Sequence, residues 1–149
     1  MNNQVTLTPV PGKNEYRVVK DYYYTSDYGL VVVPRGFLSD GASIPLVFQG
    51  LIYTPFHPDV ISASVVHDWL FANHQLDFHQ ANDVFRSILE ANGVSPAKVA
   101  VMYKAVEGFG DDHWLQTPET LDHLRTLFNS RGSIHPSVYQ WPRKVRRAV

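Results

Sequence analysis

The chain has 149 residues, 44% of them hydrophobic and 13% aromatic, with a formal net charge of −1. That length and apolar content suit one domain with a filled core and exclude global disorder, and the near-neutral charge gives no general pull toward nucleic acid or membrane. The absence of cysteine excludes disulfides, thiolate catalysis and cysteine-based zinc sites.

The opening M-N-N-Q-V-T-L lacks the basic-then-apolar order of a secretory leader. No run reaches the roughly 18 apolar residues needed to span a bilayer. The expectation is a soluble protein, in a cell or in a particle assembled there. Val5 to Val10 is a short, partly alternating strand that Pro11-Gly12 ends. Glu15 to Thr25, rich in valine and tyrosine, reads as a second strand. Asp27-Tyr28-Gly29 turns the chain, and Leu30 to Val33 returns before Pro34 and Gly36 stop it.

Residues 39 to 57 read as irregular. Helix is predicted from near Pro58 to about Ala72, with Asn73-His74 as its break. Asp77 and Gln80 stand in capping-box spacing before a stripe of Ala81, Phe85, Ile88 and Leu89, which Asn92-Gly93 ends. Ser95-Pro96 restarts helix, with Val99, Met102, Val106 and Phe109 at helical spacing. A last helix after Thr117-Pro118 carries Leu121, Leu124 and Phe128. The predicted class is α+β: an N-terminal antiparallel β-sheet packed against about four C-terminal helices. Residues 1–133 form the single domain, and residues 134–149 a C-terminal arm. Arg143, Lys144, Arg146 and Arg147 make that arm basic, leaving nine basic against 14 acidic residues elsewhere. It and the tyrosine-rich strands are the surfaces expected to meet protein partners; neither membrane nor nucleic acid is expected.

Polar residues interrupt this pattern at three places. His67 and Asp68 stand in an otherwise apolar helix, beside Val65, Val66, Trp69, Leu70 and Phe71. They diverge by about 100° around the axis, and both need polar partners if buried. Asp40 lies in the loop F-L-S-D-G-A-S-I-P, bracketed by Ser39 and Ser43. An Asx-turn accounts for Asp40-Gly41 alone. Asp83 shares a helix face with His79, four residues earlier.

Two chemistries suit these residue types. In one, His67 with Asp40, Asp68 and Asp83 holds a zinc, manganese or iron ion that activates water for hydrolysis. In the other, Ser43 is a nucleophile with His67 as base, although G-x-S-x-G is absent. The non-enzymatic alternative makes Asp40, Ser43, His67 and Asp68 a structural polar network. No dinucleotide fingerprint or P-loop occurs. G-F-G at residues 108 to 110, before Asp111, Asp112, His113 and Trp114, reads as a helix stop and polar loop.

F-L-S-D-G-A-S-I-P, A-S-V-V-H-D-W-L and A-N-D-V-F, in that order, resemble the DUF1353 family of small proteins without an established activity, common in tailed bacteriophages and prophages. The resemblance spans roughly residues 15 to 115. It falls on Asp40, Gly41, Ser43 and Pro45, on His67 and Asp68, and on Asp83 with Phe85, and it implies a phage or prophage origin, hence a virion or host cytoplasm as the location, peptidoglycan or another amide or ester as what a hydrolase would cut, and a virion or tail-assembly role for the non-enzymatic alternative. The His-Asp pair is also similar to that of the HD phosphohydrolases. The strand-rich first half departs from their all-helical domain, and His57 stands only ten residues before His67.

Overall fold

The structure is a computed structural model that describes residues 4–12, 15–39, 57–109, 114 and 122–127. Five strands precede the helices. β1 (Leu7–Pro9), β2 (Tyr16–Val18) and β5 (Leu38–Ser39) form an antiparallel sheet in the order β1-β2-β5. β3 (Tyr22–Ser26) and β4 (Gly29–Val33) form a separate antiparallel hairpin. Ser26 pairs with Gly29, so Asp27-Tyr28 is the two-residue loop at its tip. Gly29 has φ 114, a conformation that favours glycine.

The run from Glu15 to Thr25, expected as one strand, is divided between the two sheets. Alternation explains the break. A continuous strand would put Val18, Lys20 and Tyr22 on one face. Val18 and Tyr22 are both buried, whereas Lys20 is exposed. Leaving β geometry at Val19–Asp21 lets the two apolar residues enter the core without the lysine. The return from β4 to β5 is stapled to this crossing. Arg35 donates its backbone N–H to the Asp21 carboxylate at 2.8 Å, Gly36 N–H donates to the Val18 carbonyl at 2.7 Å, and Val18 N–H donates to the Phe37 carbonyl at 2.8 Å.

α1 (Ile61–Asn73) is the central helix, with every residue buried except Asp68. An all-round apolar helix must be enclosed, and α1 packs against α2, β4 and β5. It starts three residues later than Pro58. Residues 58–60 form a turn in which Val60 and Ile61 both donate to the His57 carbonyl at 3.0 Å. It ends at His74, whose φ of 54 is left-handed and whose N–H donates to the Leu70 carbonyl at 3.0 Å. The His74 ring stacks on Trp114, with centroids 3.8 Å apart and planes 6° from parallel.

α2 (Phe78–Ala91) begins with the expected capping box. Gln80 N–H donates to Asp77 Oδ1 at 2.8 Å, and Asp77 N–H donates to Gln80 Oε1 at 3.1 Å. Ala81, Val84, Phe85, Ile88 and Leu89 form its buried stripe. α3 (Pro96–Phe109) follows Ser95 and buries Val99, Met102 and Val106 against α2. Residues 122–127 are helical and bury Leu124 and Leu127. The architecture is α+β, as expected. Thr117-Pro118, Leu121, Phe128 and the arm at 134–149 lie outside the described residues.

Candidate functional site

The His-Asp pair of α1 is divided between two sides of the helix. His67 is 1% exposed and points toward α2. Its ring packs between Phe71 and Phe85, with centroids 4.1 and 4.9 Å away, and its Nε2 lies 2.7 Å from Asn82 Oδ1. Asn82 is itself fully buried. It donates through Nδ2 to Glu107 Oε2 on α3 at 2.7 Å, and Glu107 Oε1 lies 3.0 Å from Nδ1 of the exposed His79. A chain of polar groups thus runs from the core to solvent across three helices.

Asp68 turns toward the sheet. Its Oδ2 accepts from the Ser39 hydroxyl at 2.6 Å, a short hydrogen bond to a charged acceptor. Ser39 is 2% exposed and ends β5. The strand that precedes the D-G-A-S-I-P motif is therefore held by α1. Asp40 and Ser43 themselves lie outside the described residues.

Asp83, next to Asn82 on α2, serves a third group. Tyr28 at the hairpin tip donates to Asp83 Oδ2 at 2.7 Å, and Tyr103 of α3 donates to Oδ1 at 2.9 Å. Arg86 approaches the same Oδ1 at 3.5 Å and lies over the Tyr103 ring, 4.5 Å from its centroid. Partial burial raises the Asp83 carboxyl. The Tyr28 and Tyr103 hydrogen bonds, with the charges of Arg86 and His79, together outweigh it, so the net pKa is lowered. Burial and the bond to Asp83 push the Tyr103 phenol up to about 12.

Asp68 meets Ser39, which the sequence singled out only as a bracket of Asp40. His67, Asp68 and Asp83 are directed to separate partners. His67 Nε2 is engaged by an amide, Asp68 Oδ2 by a hydroxyl, and both Asp83 oxygens by phenols. Among the described residues, no group of three His, Cys, Asp or Glu side chains is arranged to hold a metal ion. His79 and Asp83 share a face, as their spacing requires, but His79 pairs with Glu107.

Asn82, Glu107, Tyr28 and Tyr103 are the participants that sequence reasoning missed. Glu107 follows Tyr103 by four residues, and His79, Asn82, Asp83 and Arg86 follow one another at helical spacing. That pattern marks facing polar edges on two helices. It does not say that the edges meet.

The fold and these buried polar links define a small α+β protein built around an apolar helix that carries His-Asp. The model of the DUF1353 family, described as a protein of unknown function, matches residues 16–106, and the chain belongs to that family. It is 35% identical over 103 residues to the uncharacterized protein y4jT of Sinorhizobium fredii, covering 68% of this chain and 31% of that one. To the uncharacterized protein y4iH of the same organism it is 29% identical over 106 residues, covering 70% of this chain and 44% of the relative. The chain thus spans less than half the length of these curated relatives. No solved structure matches. No helix among the described residues is long and apolar enough to cross a membrane.

Proposed function

We propose that this chain is a non-enzymatic virion or tail-assembly protein in which the His-Asp pair is a two-sided structural lock. The observation that carries this reading is the divergence of the pair. His67 joins α1 to α2 through Asn82, while Asp68 joins α1 to β5 through Ser39. A reactive pair would converge on one substrate. The half-exposed Tyr23 and Tyr28, with the basic arm, are the surfaces for neighbouring structural proteins.

A metal-dependent hydrolase is the second reading, in a virion or a host cytoplasm. It is favoured by one feature: Ser39, hydrogen-bonded to Asp68, immediately precedes Asp40. The two readings separate on the chain purified without a polyhistidine tag. The structural reading expects no stoichiometric zinc, manganese or iron, no amide or ester hydrolysis, and stoichiometric recovery in assembled particles. One metal ion per chain that disappears in Asp68→Asn while the fold persists would overturn it.

A further inference from the structure

The relay that ends at His67 has a direction, and the direction is set at Glu107. An ionised carboxylate offers acceptors only, whereas an amide offers an acceptor at one end and donors at the other. Glu107 Oε2 lies 2.7 Å from the Asn82 amide, so Asn82 must present its NH2 to Glu107. Its oxygen then faces His67 Nε2 at 2.7 Å, and only a protonated Nε2 makes that contact favourable. Turning the amide over would set its oxygen against the carboxylate and its NH2 against Nε2. The imidazole would then have to carry its proton on Nδ1.

We propose that Glu107 is a positioning residue that fixes the buried His67 ring as its Nε2–H tautomer through Asn82, leaving the lone pair on Nδ1. Glu107 reaches no part of His67 directly. It acts by orienting an amide that is fully buried, where an incorrectly oriented dipole is costly. His79, the other partner of the carboxylate, is exposed and sits 3.0 Å from Oε1 and 3.3 Å from Oε2, farther from Oε2 than the Asn82 amide at 2.7 Å. A ring whose Nε2 holds a proton ligates no metal through that nitrogen, and metal ligation or proton uptake by His67 runs through Nδ1. The tautomer is therefore independent of whether the cluster is a lock or a reactive site.

The test is the tautomer itself, read from long-range ring ¹H–¹⁵N correlations of the full, uniformly labelled chain at neutral pH. The native chain is expected to show His67 as the Nε2–H form. Glu107→Gln supplies a neutral side chain that can donate or accept, and is expected to move the ratio of the two neutral tautomers toward Nδ1–H by about tenfold, the difference between a charged and a neutral acceptor. Glu107→Ala, the second variant should the first not fold, is expected to move it in the same direction. His79→Ala is expected to leave it unchanged. An Nδ1–H ring in the native chain overturns the proposal outright. So does a folded Glu107 variant in which the native ratio persists, or an equal change in His79→Ala.

Discussion

His67 is buried between two phenylalanine rings, and its Nε2 faces the Asn82 amide oxygen. Asn82 has a protein partner at each end, His67 and Glu107. Asn82→Leu keeps the approximate volume but leaves a buried imidazole N–H facing a hydrocarbon. We expect a cost of about 2–4 kcal/mol in urea unfolding, since a stranded buried polar group carries its desolvation penalty. Ser39→Ala tests the other side of α1. Its hydroxyl bonds a carboxylate at 2.6 Å, so loss of about 1.5–3 kcal/mol is expected, with the β5 amides exchanging hydrogen faster.

These two effects mark how far the site was legible in the sequence. The need of His67 and Asp68 for partners followed from their apolar neighbours. The partner of Asp68 lay within the loop motif already singled out, one residue before Asp40. Asn82 was hidden because an asparagine in an amphipathic helix resembles any surface amide. Nothing local shows that its face is turned inward against α1. Asp83 drew notice as a carboxylate sharing a helix face with His79, but its phenol partners come from 55 residues before and 20 residues after it.

At the scale of elements, local rules predicted helix ends well, because caps depend on near neighbours. Asp77→Ala removes the acceptor of the capping box, and we expect about 1 kcal/mol of destabilisation, with fraying confined to the first turn of α2. The strands were less legible. The division of Glu15–Thr25 depends on Lys20 avoiding the core that Val18 and Tyr22 enter, a choice made by the helices packed beneath. Gly36 sits at the junction on the way back, with φ 94, and a Cβ there would lie 2.9 Å from Leu127 Cδ2. Gly36→Ala combines backbone strain with that collision. It should cost about 1–3 kcal/mol in thermal or urea unfolding, and perturb Leu127 as well as β5.

At the scale of the whole molecule, shifted titrations on different elements shape stability against pH. Asp83 is lowered in the fold, so its contribution is present above its unfolded value near 3.8 and is lost as pH falls through the folded value. His123, in the helical residues 122–127, is lowered mainly by burial, with Arg17 adding and Glu15 opposing, and its Nε2 accepts the Leu38 N–H at 3.3 Å. Its neutral form supports the fold above pH 6.5, and that support is lost as pH falls through its folded value. Tyr103 has the opposite sign. Its raised pKa stabilises fully below 10 and is lost as pH climbs through about 12. Urea unfolding across pH should therefore show a plateau between these limits. Tyr103→Phe should remove one late-titrating phenolate from an ultraviolet titration, with Tyr22 and Tyr28 still raised, and weaken the alkaline decline.

The central claim is that His67 and its buried partner form a structural link between α1 and α2. A double-mutant cycle on His67→Phe and Asn82→Leu, measured by urea unfolding at neutral pH, tests it directly. If the link is structural, each single change strands the other partner, and the double variant, apolar on both sides, should lose less than the summed single losses by at least about 1 kcal/mol. Small, additive losses would contradict the account and return His67 to the residues held in place for chemistry.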